Sequence, residues 1–268
     1  MTSTPTPALR RTATWAAAAA LALGPVALAT TTYAAPARAG AYTVTAKINK
    51  TVAIGKETTL KVRGRVTPKA AGQKVVLQQR VGRKTTWKMT GTSTIKKDGT
   101  YLLKDDPSTP GSREYRVVKP ASDGIAKGIS KTLAVEVYSW QKLVFRTPVA
   151  TNVAPAGVTI GAEYFGQSLA TQVSGTPASI EYTLGRKCLE LRATYALTDQ
   201  SVSGSSGSIS VTGDGAVLAS HLLSVGTIVD GESLDLTDVF RLKFDLGTSP
   251  APAAAIAAIA TPEVLCTR

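Results

Sequence analysis

The side chains able to do chemistry are few and unevenly spread. There is one histidine, His221, and there are two cysteines, Cys188 and Cys266, in a chain of 268 residues. A hydrolase needs a nucleophile beside a base, a pair of carboxylates, or a metal held by His and carboxylates. Any Ser-His-Asp or Cys-His set would have to be assembled around His221. No GxSxG, HExxH, phosphate-loop or dinucleotide-binding glycine signature occurs. A glycosidase pair such as Glu163 with Glu181 is conceivable on residue type alone. The acids of the second half fall mostly in turns or at outward strand positions. The expectation is a chain that is not an enzyme and that carries no cofactor and no metal.

Sugar recognition makes lighter demands. It needs an aromatic face for the apolar side of the ring and planar polar groups for the hydroxyls. The run GAEYFGQS supplies both, with Tyr164 and Phe165 beside Glu163 and Gln167. His221, after Ser220 in DGAVLASHLLS, is a further candidate. Plainer readings stand beside these: an aromatic ahead of a turn is more often a core residue, and a strand histidine more often has a satisfied hydrogen bond. Asp199 in LTDQS reads as a turn-capping carboxylate in preference to a calcium ligand.

The start of the chain determines the compartment in which these residues work. Arg10 and Arg11 form a positive region, the uncharged run WAAAAALALGPVALA follows at 15–29, and small residues then offer cleavage after Ala34 or after Ala39. This reads as a Sec-type signal peptide over residues 1–39. An uncleaved anchor is the competing reading. The run is shorter than the roughly 20 apolar residues a spanning helix needs, and Gly24-Pro25 breaks it. No later run is long enough to span a bilayer, so the expected location is secreted or extracellular, with cell-wall association as one form of it.

In an exported chain a lone cysteine pair favours one disulfide, Cys188 to Cys266, over a two-cysteine metal site. About 229 to 234 residues remain after cleavage, enough for two ordinary domains. Charge divides them, at +13 over residues 41–140 and −3 over residues 141–268. The predicted domains are 40–139 and 140–268, joined by the spacerless Tyr138-Ser139-Trp140. That connection reads as short and fairly rigid, with Trp140 packed between the domains or against the second.

Both halves read as β-sandwiches. In the first, Tyr42-Val44-Ala46-Ile48, Leu60-Val62-Gly64-Val66 and Val75-Leu77-Gln79 alternate with polar neighbours. Asp98-Gly99 and Pro110-Gly111 supply turns. Tyr115 reads as the tyrosine corner of an immunoglobulin-like sandwich and Trp87 as the core aromatic of a central strand. In the second half, Ile180-Tyr182-Leu184, Leu189-Leu191-Ala193-Tyr195-Leu197, Ile209-Val211 and Phe240-Leu242-Phe244-Leu246 each share a face. The stretch SVSGSSG at 201–207 reads as a loop between strands.

The segment AGQKVVLQQR…TTWKMTGTSTIKKDGTYLLK…TPGSREYRVVKPAS resembles the bacterial Ig-like modules of secreted actinobacterial proteins. That resemblance implies a spacer or adhesion module. The ordered run EYTLGRKC, LRATYALTDQSVSGSSGSISVTGDG, LDLTDVFRLKFDL and PEVLC resembles the novel carbohydrate-binding-module family. These are galactose-binding-like, jelly-roll β-sandwiches attached to secreted glycosidases and found in many actinobacterial extracellular proteins. The resemblance implies an extracellular glycan or cell-wall polymer as partner. The chain departs from that pattern near its end, where AAIAAIATPEVLC replaces a Trp and an acidic residue ahead of the last strand. No sugar-binding residue is carried over from the family.

The basic first half has two readings. Lys61, Arg63 and Arg65 alternate with Leu60, Val62 and Gly64, so they are the outward residues of an amphipathic strand. A solvated face that protects edge strands is one reading and contact with an anionic polymer the other. No basic motif with interleaved aromatics occurs, so specific nucleic-acid recognition is not expected. The functional expectation is a secreted non-catalytic binding protein for extracellular carbohydrate. The alternative is a structural or protein-interaction module without sugar affinity.

Overall fold

The computed structural model describes residues 40–252 and 254–268. The export segment, with Arg10, Arg11, the apolar run and both cleavage positions, lies outside the described residues. Among the described residues, apart from one 3-10 turn at Leu143–Phe145, the regular structure is strand, as the alternating sequence patterns require. No helix among the described residues is long and apolar enough to cross a membrane.

The first sandwich opens with β1 (Thr43–Ile48), β2 (Val52–Ile54) and β3 (Leu60–Thr67). β4 (Lys74–Val81), β5 (Lys88–Thr94) and β6 (Thr100–Asp105) follow, then β7 (Gly111–Lys119), β8 (Gly128–Ile129) and β9 (Leu133–Lys142). One sheet has the order β1-β3-β6, and the other places β9, β7, β4 and β5 side by side. β2 lies parallel to β9 and β8 pairs with β7. This is an immunoglobulin-like arrangement. Leu60, Val62, Val75, Leu77, Val117 and Val137 are wholly buried between the sheets, each at an inward position of its alternation.

Two aromatic expectations need correction. Trp87 is not in the core: it sits half-buried in the β4–β5 connection, with the guanidinium of Arg80 4.9 Å and that of Arg116 4.2 Å from its ring centroid. Its neighbours Thr85, Thr86 and Lys88 offer no apolar alternation, and Tyr101 and Tyr115 already fill the interior. Gly64 makes room for Tyr101, because a Cβ there would come 2.5 Å from the tyrosine oxygen. Tyr115 is buried in mid-β7 and donates to the Asp105 carboxylate at 2.5 Å, not to backbone as a tyrosine corner does. Burial first, and then that bond, push its phenol well above the usual range.

The second sandwich begins with β10 (Val149–Thr151), β11 (Val153–Ile160), β12 (Glu163–Thr171), β13 (Ala178–Thr183) and β14 (Cys188–Leu197). It continues with β15 (Ser206–Gly213), β16 (Ala216–Ser224), β17 (Ile228–Asp235), β18 (Arg241–Thr248) and β19 (Ala257–Cys266). Two five-stranded antiparallel sheets face each other: β10-β13-β18-β15-β16 and β11-β12-β19-β14-β17. Ile180, Tyr182, Leu191, Tyr195, Ile209, Val211, Leu242 and Phe244 meet between them, as their period-two spacing predicts. Leu189 is only half-buried, and Phe240, ahead of β18, lies 5.5 Å from the Arg186 guanidinium and stays 38% exposed.

Cys188 and Cys266 face each other across β14 and β19 and form the disulfide. It closes a loop of 78 residues that holds most of the second sandwich. Residue 140 lies inside β9, whose first half pairs with β7 and whose residues 139–142 pair with β19. Trp140 is thus a strand residue, and Arg192 of the second sandwich covers its ring at 3.9 Å.

Candidate functional site

The GAEYFGQS residues sit at the tip of the β11–β12 hairpin. Gly161 and Ala162 form its two-residue turn, both with positive φ, at 59° and 68°. Both φ values above zero are what a type I′ hairpin turn demands. Ala162 has no glycine freedom, so the turn needs support from outside. Asp199 provides it, accepting the N–H groups of Gly161 and Ala162 at 2.8 Å each. The Asp199 carboxylate therefore caps a turn nearly forty residues away in sequence.

A bulge then decides which way the aromatics point. Ala156 pairs with Ser168 but Val158 pairs with Phe165, so Gly157 alone opposes Gly166 and Gln167. The inserted residue reverses the alternation of the hairpin tip. Phe165 turns into a second, smaller core with Val158, Ile160, Ala170, Ala196, Ala258 and Ala260. The alanine run at the start of β19, where the chain departs from the resembled family, forms part of the floor on which this hairpin packs.

Tyr164 takes the other side and stays 70% exposed. Its ring lies across Gly157 and Gly166: a Cβ on Gly157 would come 2.9 Å from Cζ and nearer still to the hydroxyl, and one on Gly166 3.3 Å from Cε1. The two glycines form a flat seat that sets the ring's orientation. Glu163 beside it is exposed. The Gln167 carbonyl accepts a hydrogen bond from Lys142 on β9, leaving its amide N–H groups to point elsewhere.

His221 is on the opposite sheet. It lies on β16, its ring stacked on Tyr195 with centroids 5.2 Å apart, and its Nε2 is 2.9 Å from Glu232 on β17. This contact bridges the open edge between the two sheets over the buried Tyr195, whose phenol is pushed above its usual range by burial. Tyr164 thus lies on one face of the hairpin, Glu163 at the tip is paired with Ile160 of the small core into which Phe165 turns, Gln167 follows at the bulge, and His221 stands apart. Glu181 lies on β13 beside Arg241 at 3.3 Å, in the sheet facing that of Glu163. Among the described residues no group of three or more His, Cys, Asp or Glu is placed to hold a metal.

Three contributors escaped the residue-type search: Gly157, Gly166 and Lys142. The glycines did carry a signal, since glycine inside a strand marks a bulge or a close approach. Lys142 had none, because its contact depends on how β9 meets β12.

The fold and site together define an all-β, two-sandwich chain with a fixed, exposed aromatic on its second sandwich. No family model matches the chain, and no curated protein matches it. Among solved structures it is similar to the CBM36-1 domain of a multidomain xylanase from the hindgut metagenome of Trinervitermes trinervoides. There the identity is 9%, the TM-score is 0.25, and 42% of this chain and 96% of that one are covered. It is also similar to an exo-β-1,3-galactanase from Phanerochaete chrysosporium solved with galactose, at 8% identity and TM-score 0.27. That match covers 81% of this chain, which spans 56% of the galactanase.

Proposed function

We propose that the chain is a secreted, non-catalytic binding protein for extracellular or cell-wall carbohydrate. The second sandwich is the binding module and the immunoglobulin-like one its spacer. The observation that carries this reading is the Tyr164 ring, exposed yet seated on Gly157 and Gly166. An exposed aromatic normally moves among rotamers and loses entropy when a ligand orders it. Here the glycine seat removes part of that cost, and a flat aromatic face is what the apolar side of a pyranose stacks against. Glu163, exposed at the hairpin tip, and the Gln167 amide three residues beyond Tyr164 offer hydrogen-bonding groups in the same segment. The non-catalytic reading is supported by the separation of Glu163 from Glu181 and by the engagement of His221 with Glu232.

The test is a glycan array followed by cell-wall pull-down with competition by free sugar. Saturable, sugar-competed binding that Tyr164→Ala abolishes is expected. Because Tyr164 is an exposed side chain, the variant should change stability by no more than about 0.5 kcal/mol. Binding indifferent to both free sugar and Tyr164→Ala would sink this reading and leave the module as a structural or protein-interaction unit.

A further inference from the structure

A cleft of about 660 Å³ opens where the two sandwiches meet, lined from one side by Arg83 and Ser112, from the other by Arg186, Lys187 and Thr267, with Tyr138 of β9 between them. We propose that it is a second binding site, for an acidic oligosaccharide whose carboxylate or sulfate groups are held by Arg83, Arg186 and Lys187. The size falls within the roughly 300–1,000 Å³ of small-ligand sites.

Three observations carry the assignment. The first is an excess of positive charge: among the described residues none of the three cations makes a direct ion pair with a carboxylate, although six ion pairs form elsewhere, and Arg186 acts on Asp214 only at longer range. Glu136 is the one acidic side chain lining the cleft. Cations gathered in a concave site focus a positive potential, and an arginine fork binds planar anions through two parallel hydrogen bonds.

The second is rigidity. Arg186 stands in the β13–β14 turn with φ +58° and its N–H bonded to the Val239 carbonyl at 3.1 Å. The carbonyl of Lys187 accepts from the Thr267 N–H at 2.9 Å, immediately beside the Cys188–Cys266 bridge. Gly82, just before Arg83, donates its N–H to the Ser112 carbonyl at 2.7 Å. Arg186 and Lys187 are therefore anchored at their own backbone and Arg83 follows an anchored residue, while all three side chains are exposed.

The third is the company the cations keep. The Ser112 hydroxyl and the half-buried Tyr138 match the hydroxyls and apolar faces of a sugar, while the Thr267 hydroxyl is turned to the Lys187 carbonyl. A nucleic acid would call for a series of aromatic platforms, and the cleft has one aromatic. Arg268 also lines the cleft, so the acidic second half of the chain contributes three of its four cations, and this site belongs to neither sandwich alone. It shares no residue with the Tyr164 platform and stands independently of it.

The test is calorimetric titration with tetragalacturonate, a carrageenan tetrasaccharide, which bears sulfate but no carboxylate, and neutral maltotetraose in about 150 mM salt, where diffuse surface attraction is largely screened. The variant Arg83→Gln/Arg186→Gln/Lys187→Gln is compared with Lys61→Gln/Arg63→Gln/Lys97→Gln, which removes the same charge elsewhere. Binding of an acidic tetrasaccharide, weakened about 10-fold or more by the first variant and about 2-fold or less by the second, is expected. The tighter of the two acidic probes distinguishes carboxylate from sulfate. Tyr164→Ala leaves this binding unchanged, so failure here and failure of the platform are separable. Absence of binding by both acidic probes, or equal weakening by the two variants, overturns the proposal.

Discussion

Tyr164 is ordered not by its own packing but by what its neighbours lack. A methyl group at residue 157 would occupy the space of the ring. Gly157→Ala is therefore expected to tilt Tyr164 off its seat and weaken sugar binding by about 10-fold, or ~1.4 kcal/mol, without removing the aromatic. Titration against the sugar found on the array measures this. Other single residues set the acid limit of stability. Asp214 accepts the backbone N–H groups of Phe240 and Arg241, and Asp98 accepts that of Thr100 and then its hydroxyl. Asp235 is held by the hydroxyl of Thr237 and then by its N–H. All three carboxyls are held below the ordinary aspartate range. A depressed native pKa means that the unfolded chain binds protons more readily, so this stabilisation is complete above about pH 4 to 5 and is lost as pH falls through the native values. Thermal melts from pH 7 to pH 2.5 should show a flat region and then a steep fall. Asp214→Asn should lower the melting point at pH 7 but leave it nearly unchanged at the acid end.

At the scale of elements, the β11–β12 hairpin is the unit that presents the platform, and Asp199 is its tether. Asp199→Ala leaves two turn N–H groups without a partner and Ala162 in a strained conformation without compensation. A loss of about 1 to 2 kcal/mol is expected in denaturant unfolding, with greater hydrogen exchange at 161–166 than elsewhere. The β14–β19 pair is stapled by the disulfide. For a loop of 78 residues the chain-entropy model gives about 4 to 5 kcal/mol as an upper guide. Replacing both cysteines by serine should lower stability by up to that amount, and the same loss should appear on reduction of the unmodified protein.

At the scale of the whole molecule, the joint between sandwiches is a pair of strands and not a linker. β19 gives one long edge to β14 and divides the other between β12 and the end of β9. Backbone hydrogen bonds therefore run from one sandwich into the next, and Arg192 over Trp140 and its ion pair with Glu263 reinforce the crossing. Two bodies tied by a shared ladder cannot swing as bodies tied by a flexible tether do. Solution scattering should fit a single conformation over residues 40–268. A profile that needs an ensemble of interdomain angles would contradict the strand-pairing account.

The amino-acid sequence by itself determined the strands. Period-two alternation at Leu60-Val62, Ile180-Tyr182 and Leu242-Phe244 states which side of each strand is apolar, and burial of that side is the dominant force in folding. It also determined the single disulfide, because only two cysteines exist to form one. Part of the candidate site was legible: Tyr164, Glu163 and Gln167 belong to one short segment, so they stay on one hairpin however the sheets pack, although which face each takes was not legible. The rest was not. Trp87 looked like a core residue because it is large and apolar, but two arginines from β4 and β7 supplied a cheaper place for it. Phe165 changed faces because one bulge reversed the alternation, an event with no marker beyond the glycines at 157 and 166. Among the cleft cations, Arg83 is about a hundred residues from Arg186 and Lys187, and only the β9–β19 pairing brings them together. Tertiary structure decided these because each depends on which strand edges meet, and edge pairing is set by the summed fit of both sandwiches, not by any local pattern.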